Sequence, residues 1–124
     1  MNGKETVKTM YEVTGGQMIE KAPLNVARSN FGCCVYPNFS QIFIAGGSVN
    51  ENESTKSCER YIVKENVWKK LPELREAKIN AGLCFFNQGS TLYCFGGATK
   101  TLGIINQCSS IERLSKGQNT WLTM

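Results

Sequence analysis

The chain has 124 residues, a formal net charge of +4 and 41% hydrophobic residues, which is the size and balance of one ordinary globular domain. Its Lys and Arg residues are scattered and interleaved with acidic ones, which argues against a nucleic-acid groove. No apolar run approaches the roughly 20 residues of a membrane span, and the N-terminal segment lacks the charged start and long apolar stretch of a signal peptide; the chain reads as soluble and cytoplasmic, with neither nucleic acid nor membrane as partner.

In chain order, residues 1–8 are polar and expected to fray. Strands are predicted over residues 9–13 and 17–20, joined by a turn at Thr14, Gly15 and Gly16, where glycine supplies the turn conformation. Pro23 marks a crossing. A hairpin of residues 31–36 and 41–45 follows, turning through 37–40; its second strand is fully apolar and stops at Gly46 and Gly47, which suits a strand buried on both faces. Residues 48–57 are expected to form a polar loop, and residues 58–62 and 67–70 an outer hairpin. Past Pro72, at the next crossing, the order recurs: strands over 81–86 and 91–95 stopping at Gly96 and Gly97, a long loop over 98–109, then strands over 110–114 and 120–123. No helix is expected anywhere.

The recurrence is a repeat. Ala27, Asn30, Gly32, Cys34 and Gly47 return fifty residues later as Ala77, Asn80, Gly82, Cys84 and Gly97. After the glycine pairs the offset becomes 53, since Glu59 and Arg60 answer to Glu112 and Arg113, and Trp68 to Trp121. Tyr11 and Met18 keep the spacing of Tyr61 and Trp68, so the N-terminus carries the tail of a third copy.

A glycine pair followed by an aromatic residue and a tryptophan, namely Gly46, Gly47, Tyr61 and Trp68, then Gly96, Gly97 and Trp121, resembles the kelch repeats, whose units of about 50 residues are four-stranded blades of a β-propeller. Leu114 stands where the family usually has tyrosine and Met18 where it has tryptophan; both keep apolar bulk. The resemblance implies an all-β fold, a partial β-propeller of four-stranded antiparallel blades. Residues 1–22 would hold the polar N-terminus and the outer hairpin of an incomplete blade, 23–71 a first complete blade and 72–124 a second. Propellers close with roughly four to eight blades, so the arc is expected to belong to a longer propeller or to complete a ring by self-association.

The six cysteines include Cys34/Cys84 and Cys58/Cys108 at equivalent places of successive copies, which predicts buried small apolar side chains held apart by the blade spacing. There is no Cys-x-x-Cys and no histidine, so no metal or cofactor is expected. Trp68, Trp121, Tyr61 and Tyr11 are expected to pack between blades. Glu59 with Arg60 and Glu112 with Arg113 are expected to order a loop or join strands rather than to act in catalysis. An enzyme would need a base or ligand that the missing histidines do not provide, and propeller enzymes of the kelch type depend on metal-binding histidines.

A rigid ring presents its loops as a composite surface. In kelch proteins of this kind the partner is gripped by residues just before each blade's first strand and by the loop after the glycine pair. The resemblance therefore implies Arg28, Ser29, Asn30, Lys78 and Asn80, with Ser48, Asn50, Glu51, Asn52, Thr99 and Lys100, as the partner-binding set. The cations and amides together suit an acidic or polar peptide. The function so implied is a non-catalytic protein-interaction module, such as a substrate-recognition adaptor; the alternatives are an actin-associated scaffold, or a propeller enzyme whose active site lies in other blades.

Overall fold

The computed structural model describes residues 8–124; apart from Lys8, the segment expected to fray lies outside the described residues. Regular structure within them is strand throughout, except for one 3-10 turn at Asn87–Gly89. β1 (Met10–Thr14) and β2 (Gln17–Lys21) form a two-stranded hairpin. β3 (Gly32–Val35), β4 (Gln41–Ala45), β7 (Cys58–Ile62) and β8 (Val67–Leu71) make a four-stranded antiparallel sheet in that order. A second sheet repeats it with β9 (Gly82–Phe86), β10 (Thr91–Phe95), β13 (Ile111–Ser115) and β14 (Leu122–Thr123).

β4 and β10 carry apolar runs because each is hydrogen-bonded on both sides within its sheet and lies in the interior between the sheets. Phe43 and Ala45 from the first sheet join Leu83, Leu92, Cys94, Leu114 and Trp121 from the second in one buried cluster. An aromatic contact locks the sheets together: Phe43 and Phe85 meet edge to face with centroids 4.8 Å apart, and Tyr36 meets Phe85 at 5.1 Å. Such pairs add roughly 0.5–1.5 kcal/mol beyond their buried area.

Three expectations are corrected. The stretches 48–57 and 98–109 are not plain loops: β5 (Ser48–Asn50) pairs with β6 (Glu53–Ser54), and β11 (Ala98–Thr101) with β12 (Ile104–Gln107). Tyr11, expected to pack between blades, is 46% exposed, and Met18 beside it 66%, because among the described residues the β1–β2 hairpin has no inner strand pair beside it to pack against. Cys34 and Cys84 are half-buried, since β3 and β9 are edge strands, whereas Cys58, Cys94 and Cys108 are buried; all six are free thiols. Among the described residues no helix is long and apolar enough to cross a membrane.

Candidate functional site

The segment entering each sheet is gripped by that sheet's own outer strands, with the same chemistry twice. In the first copy, Glu59 on β7 accepts the backbone N–H groups of Asn25 at 2.9 Å and Val26 at 3.1 Å, and the guanidinium of Arg28 at 2.9 Å. Arg28 spends its remaining N–H groups on Val26 O, Gly46 O, Ser57 O and Ser57 Oγ. In the second copy, Glu112 on β13 accepts the N–H groups of Arg75 and Glu76, with Lys78 Nζ at 3.3 Å from the carboxylate. The indoles add a second grip: Trp68 Nε1 donates to Ala22 O at 2.9 Å and Trp121 Nε1 to Pro72 O at 2.8 Å. Burial pulls the Arg28 guanidinium below its ordinary pKa, and the Glu59 carboxylate opposes that pull.

This geometry corrects the placement of the two cations. Arg28 and Lys78 are 3% and 0% exposed, and Ser48 is buried as well. Their charges are spent on Glu59 and Glu112 inside the fold, so in this conformation they do not meet a partner. Glu59 and Glu112, expected to order a loop or join strands, each hold the entering segment through two of its backbone amides and a cation.

The remaining residues of the expected set gather on one crown. A bridge pairs Ser29 with Ser48, and another pairs Ile79 with Ala98, tying each entering segment to its hairpin. Asn30 and Asn80 are exposed and sit at φ of 55° and 56°, a left-handed conformation that Asn tolerates better than most residues; Asn80 N donates to Asn30 O at 2.8 Å across the two copies. The hairpins are themselves zipped together: Lys100 N donates to Ser54 Oγ at 3.1 Å, that hydroxyl donates to Lys100 O at 3.2 Å, and Gly103 N donates to Asn52 O at 3.1 Å. The result is a continuous ribbon carrying Asn50, Glu51 and Asn52 exposed and Thr99 and Lys100 half-buried. Asn50 is held by its side chain accepting from Asn52 N, and Thr99 by donating to Ala77 O.

A family model described as the kelch motif matches residues 27–75, the span that holds the whole first sheet, its hairpin, and the Arg28, Glu59 and Trp68 side chains of the grip. Residues 27–75 carry a kelch motif. Kelch-like protein 26 of Mus musculus is 27% identical over 106 residues, 82% of this chain but 16% of that protein, so the chain spans about a sixth of the length of this curated relative. Among solved structures, a fungal alcohol oxidase of the AA5 family in complex with copper superimposes with a TM-score of 0.76 over 96% of this chain and 27% of its own, at 15% identity. That likeness concerns the fold: the four-stranded sheets are blades, and the described residues form part of a β-propeller. The copper belongs to the oxidase; among the described residues of this chain no group of three or more His, Cys, Asp or Glu side chains is arranged to hold a metal ion.

Proposed function

We propose that the chain is a non-catalytic protein-interaction module, a kelch arc that binds a partner protein through its crown and serves as the recognition arm of an adaptor. The observation that carries this reading is the zipping of β5–β6 to β11–β12 through Ser54, Lys100, Asn52 and Gly103. It turns hairpins that would each be marginal alone into one preorganised surface, and preorganisation reduces the ordering cost of binding. With Arg28 and Lys78 withdrawn into the fold, the crown offers amides, hydroxyls and charges of both signs, Glu51 and Glu53 against Lys100. A polar, hydrogen-bonding peptide suits it better than a strongly acidic one.

The test is site-specific photo-crosslinking in cells, with the crosslinker at Asn50, Asn52 or Asn80 and, as controls, at Lys64 or Lys69 on the outer hairpin. The reading expects discrete adducts from the crown positions alone. Adducts from the outer hairpin at equal yield, or none from the crown, would contradict it.

A further inference from the structure

Between the two blades lies a cavity of about 340 Å³ whose lining comes from neither crown hairpin. Its walls include Phe43 and Arg60 of the first blade and Phe85, Leu92 and Lys116 of the second. Consecutive strand residues face opposite sides of a sheet: Glu59 turns to the entering segment, and Arg60 turns into this wedge. Arg60 donates to Gln41 Oε1 at 2.7 Å, and no carboxylate pairs with it among the described residues. No Asp or Glu lines the cavity. Arg60 and, at the exposed rim, Lys116 thus line one wedge beside aromatic, aliphatic and uncharged polar side chains and without an anion, in contrast to Arg28 and Lys78, whose charges are matched.

We propose that this cavity binds a small organic carboxylate, with an aromatic or branched apolar body packed against Phe43, Phe85 and Leu92 and its carboxylate accepting hydrogen bonds from Arg60, with Lys116 adding attraction. A guanidinium presents parallel donors that match a carboxylate, and the volume falls at the lower end of small-molecule sites, roughly 300–1,000 Å³. The strands that carry Phe43, Arg60 and Leu92 are paired on both sides within their sheets, so these residues meet a ligand through their side chains and not by strand addition. The inference does not depend on the crown reading, since the two surfaces share no residue.

Phenylacetate, its neutral isostere phenylacetamide and the blocked peptide acetyl-Phe-Glu-amide are the probes, titrated into the protein and followed by two-dimensional amide NMR. Phenylacetate is expected to shift the amides of Phe43, Phe85 and Lys116 saturably, with phenylacetamide at least roughly tenfold weaker, as a lost charge-assisted hydrogen bond predicts. Arg60→Gln should weaken phenylacetate to a similar extent, and Lys116→Gln by roughly twofold to fivefold with an unchanged melting temperature. Should Arg60→Gln melt early, Lys116→Gln and the isostere comparison decide. No saturable shift, equal binding of acid and amide, indifference to both substitutions, or binding of the peptide alone would each overturn the proposal.

Discussion

Arg28 Nη2 and Glu59 Oε2 stand 2.9 Å apart with both side chains shut off from solvent. The pair holds together three pieces distant in sequence: the segment entering the blade, the end of β4 at Gly46, and β7. Breaking a buried pair by removing one partner typically costs about 3–5 kcal/mol, because the survivor is left charged and unmatched. Arg28→Met and Glu59→Leu are each expected to destabilise by that order, and the double variant by less than the sum. Urea unfolding of the four proteins measures the coupling; additive losses would show that the two side chains do not act as a pair.

Gly46 and Gly96 occupy the same place in successive blades, yet their surroundings differ. Both have positive φ, 68° and 70°, but a Cβ on Gly46 would run into the carbonyl of Lys78 in the next blade, whereas one on Gly96 meets nothing within 4 Å. Gly46→Ala should therefore cost a few kcal/mol, and Gly96→Ala only the backbone term of about 1 kcal/mol. Thermal melting of the two variants side by side gives the answer, and equal losses would mean that the neighbouring backbone is not what fixes Gly46.

The repeat and its strands were legible because they rest on local signals: an apolar run stopped by two glycines, tryptophans at fixed offsets, and prolines at crossings. The roles of Arg28 and Lys78 were not, since a cation before a strand looks like surface until the segment holding it folds back over β7 or β13. A signal did exist: Arg28/Lys78 and Glu59/Glu112 recur with the same offsets as the core, and an opposite-charge pair that repeats in step with buried residues marks a buried pair. The crown hairpins left no such trace. Their strands are short and polar, and bonds between blades, such as Ser54 to Lys100, hold them rather than an apolar period. The cavity around Arg60 exists only where two sheets meet, so no single stretch announces it.

The buried thiols set an alkaline limit. Burial pushes Cys58 up to about 12 and Cys94 to about 11, from an ordinary value near 9. The folded chain therefore keeps protons that the unfolded chain gives up, so this contribution is intact below about pH 8 and is lost as pH rises from about 9 through about 11 for Cys94 and about 12 for Cys58. Each thiol can contribute at most about 1.4 kcal/mol per pH unit in that window. Urea midpoints taken from pH 8 to above pH 10 should fall less steeply for Cys58→Ala and Cys94→Ala than for the parent; parallel curves would remove the thiols from the explanation.

The same burial predicts reactivity. Cys33 is the exposed thiol and Cys58 and Cys94 are fully buried, so a thiol reagent at neutral pH should modify Cys33 first and leave Cys58 and Cys94 protected until the protein unfolds. Peptide mapping by mass spectrometry follows the order, and early labelling of Cys94 would contradict the packing between the blades.

The central claim is that these residues are propeller blades with one blade face uncovered. On the second blade Phe95, Ile111 and Leu122 are 42%, 41% and 45% exposed, Ile104 on its hairpin is 64% exposed, and the slot beside Gly96 is empty where Gly46 has a neighbour. We propose that further kelch blades, or another copy of this chain, cover that face. Sedimentation velocity of the 124-residue chain, run over a wide range of concentrations, tests this most directly. The account predicts discrete self-association, or a partly unfolded and aggregating species; a compact monomer at every concentration that unfolds in one cooperative transition would contradict it.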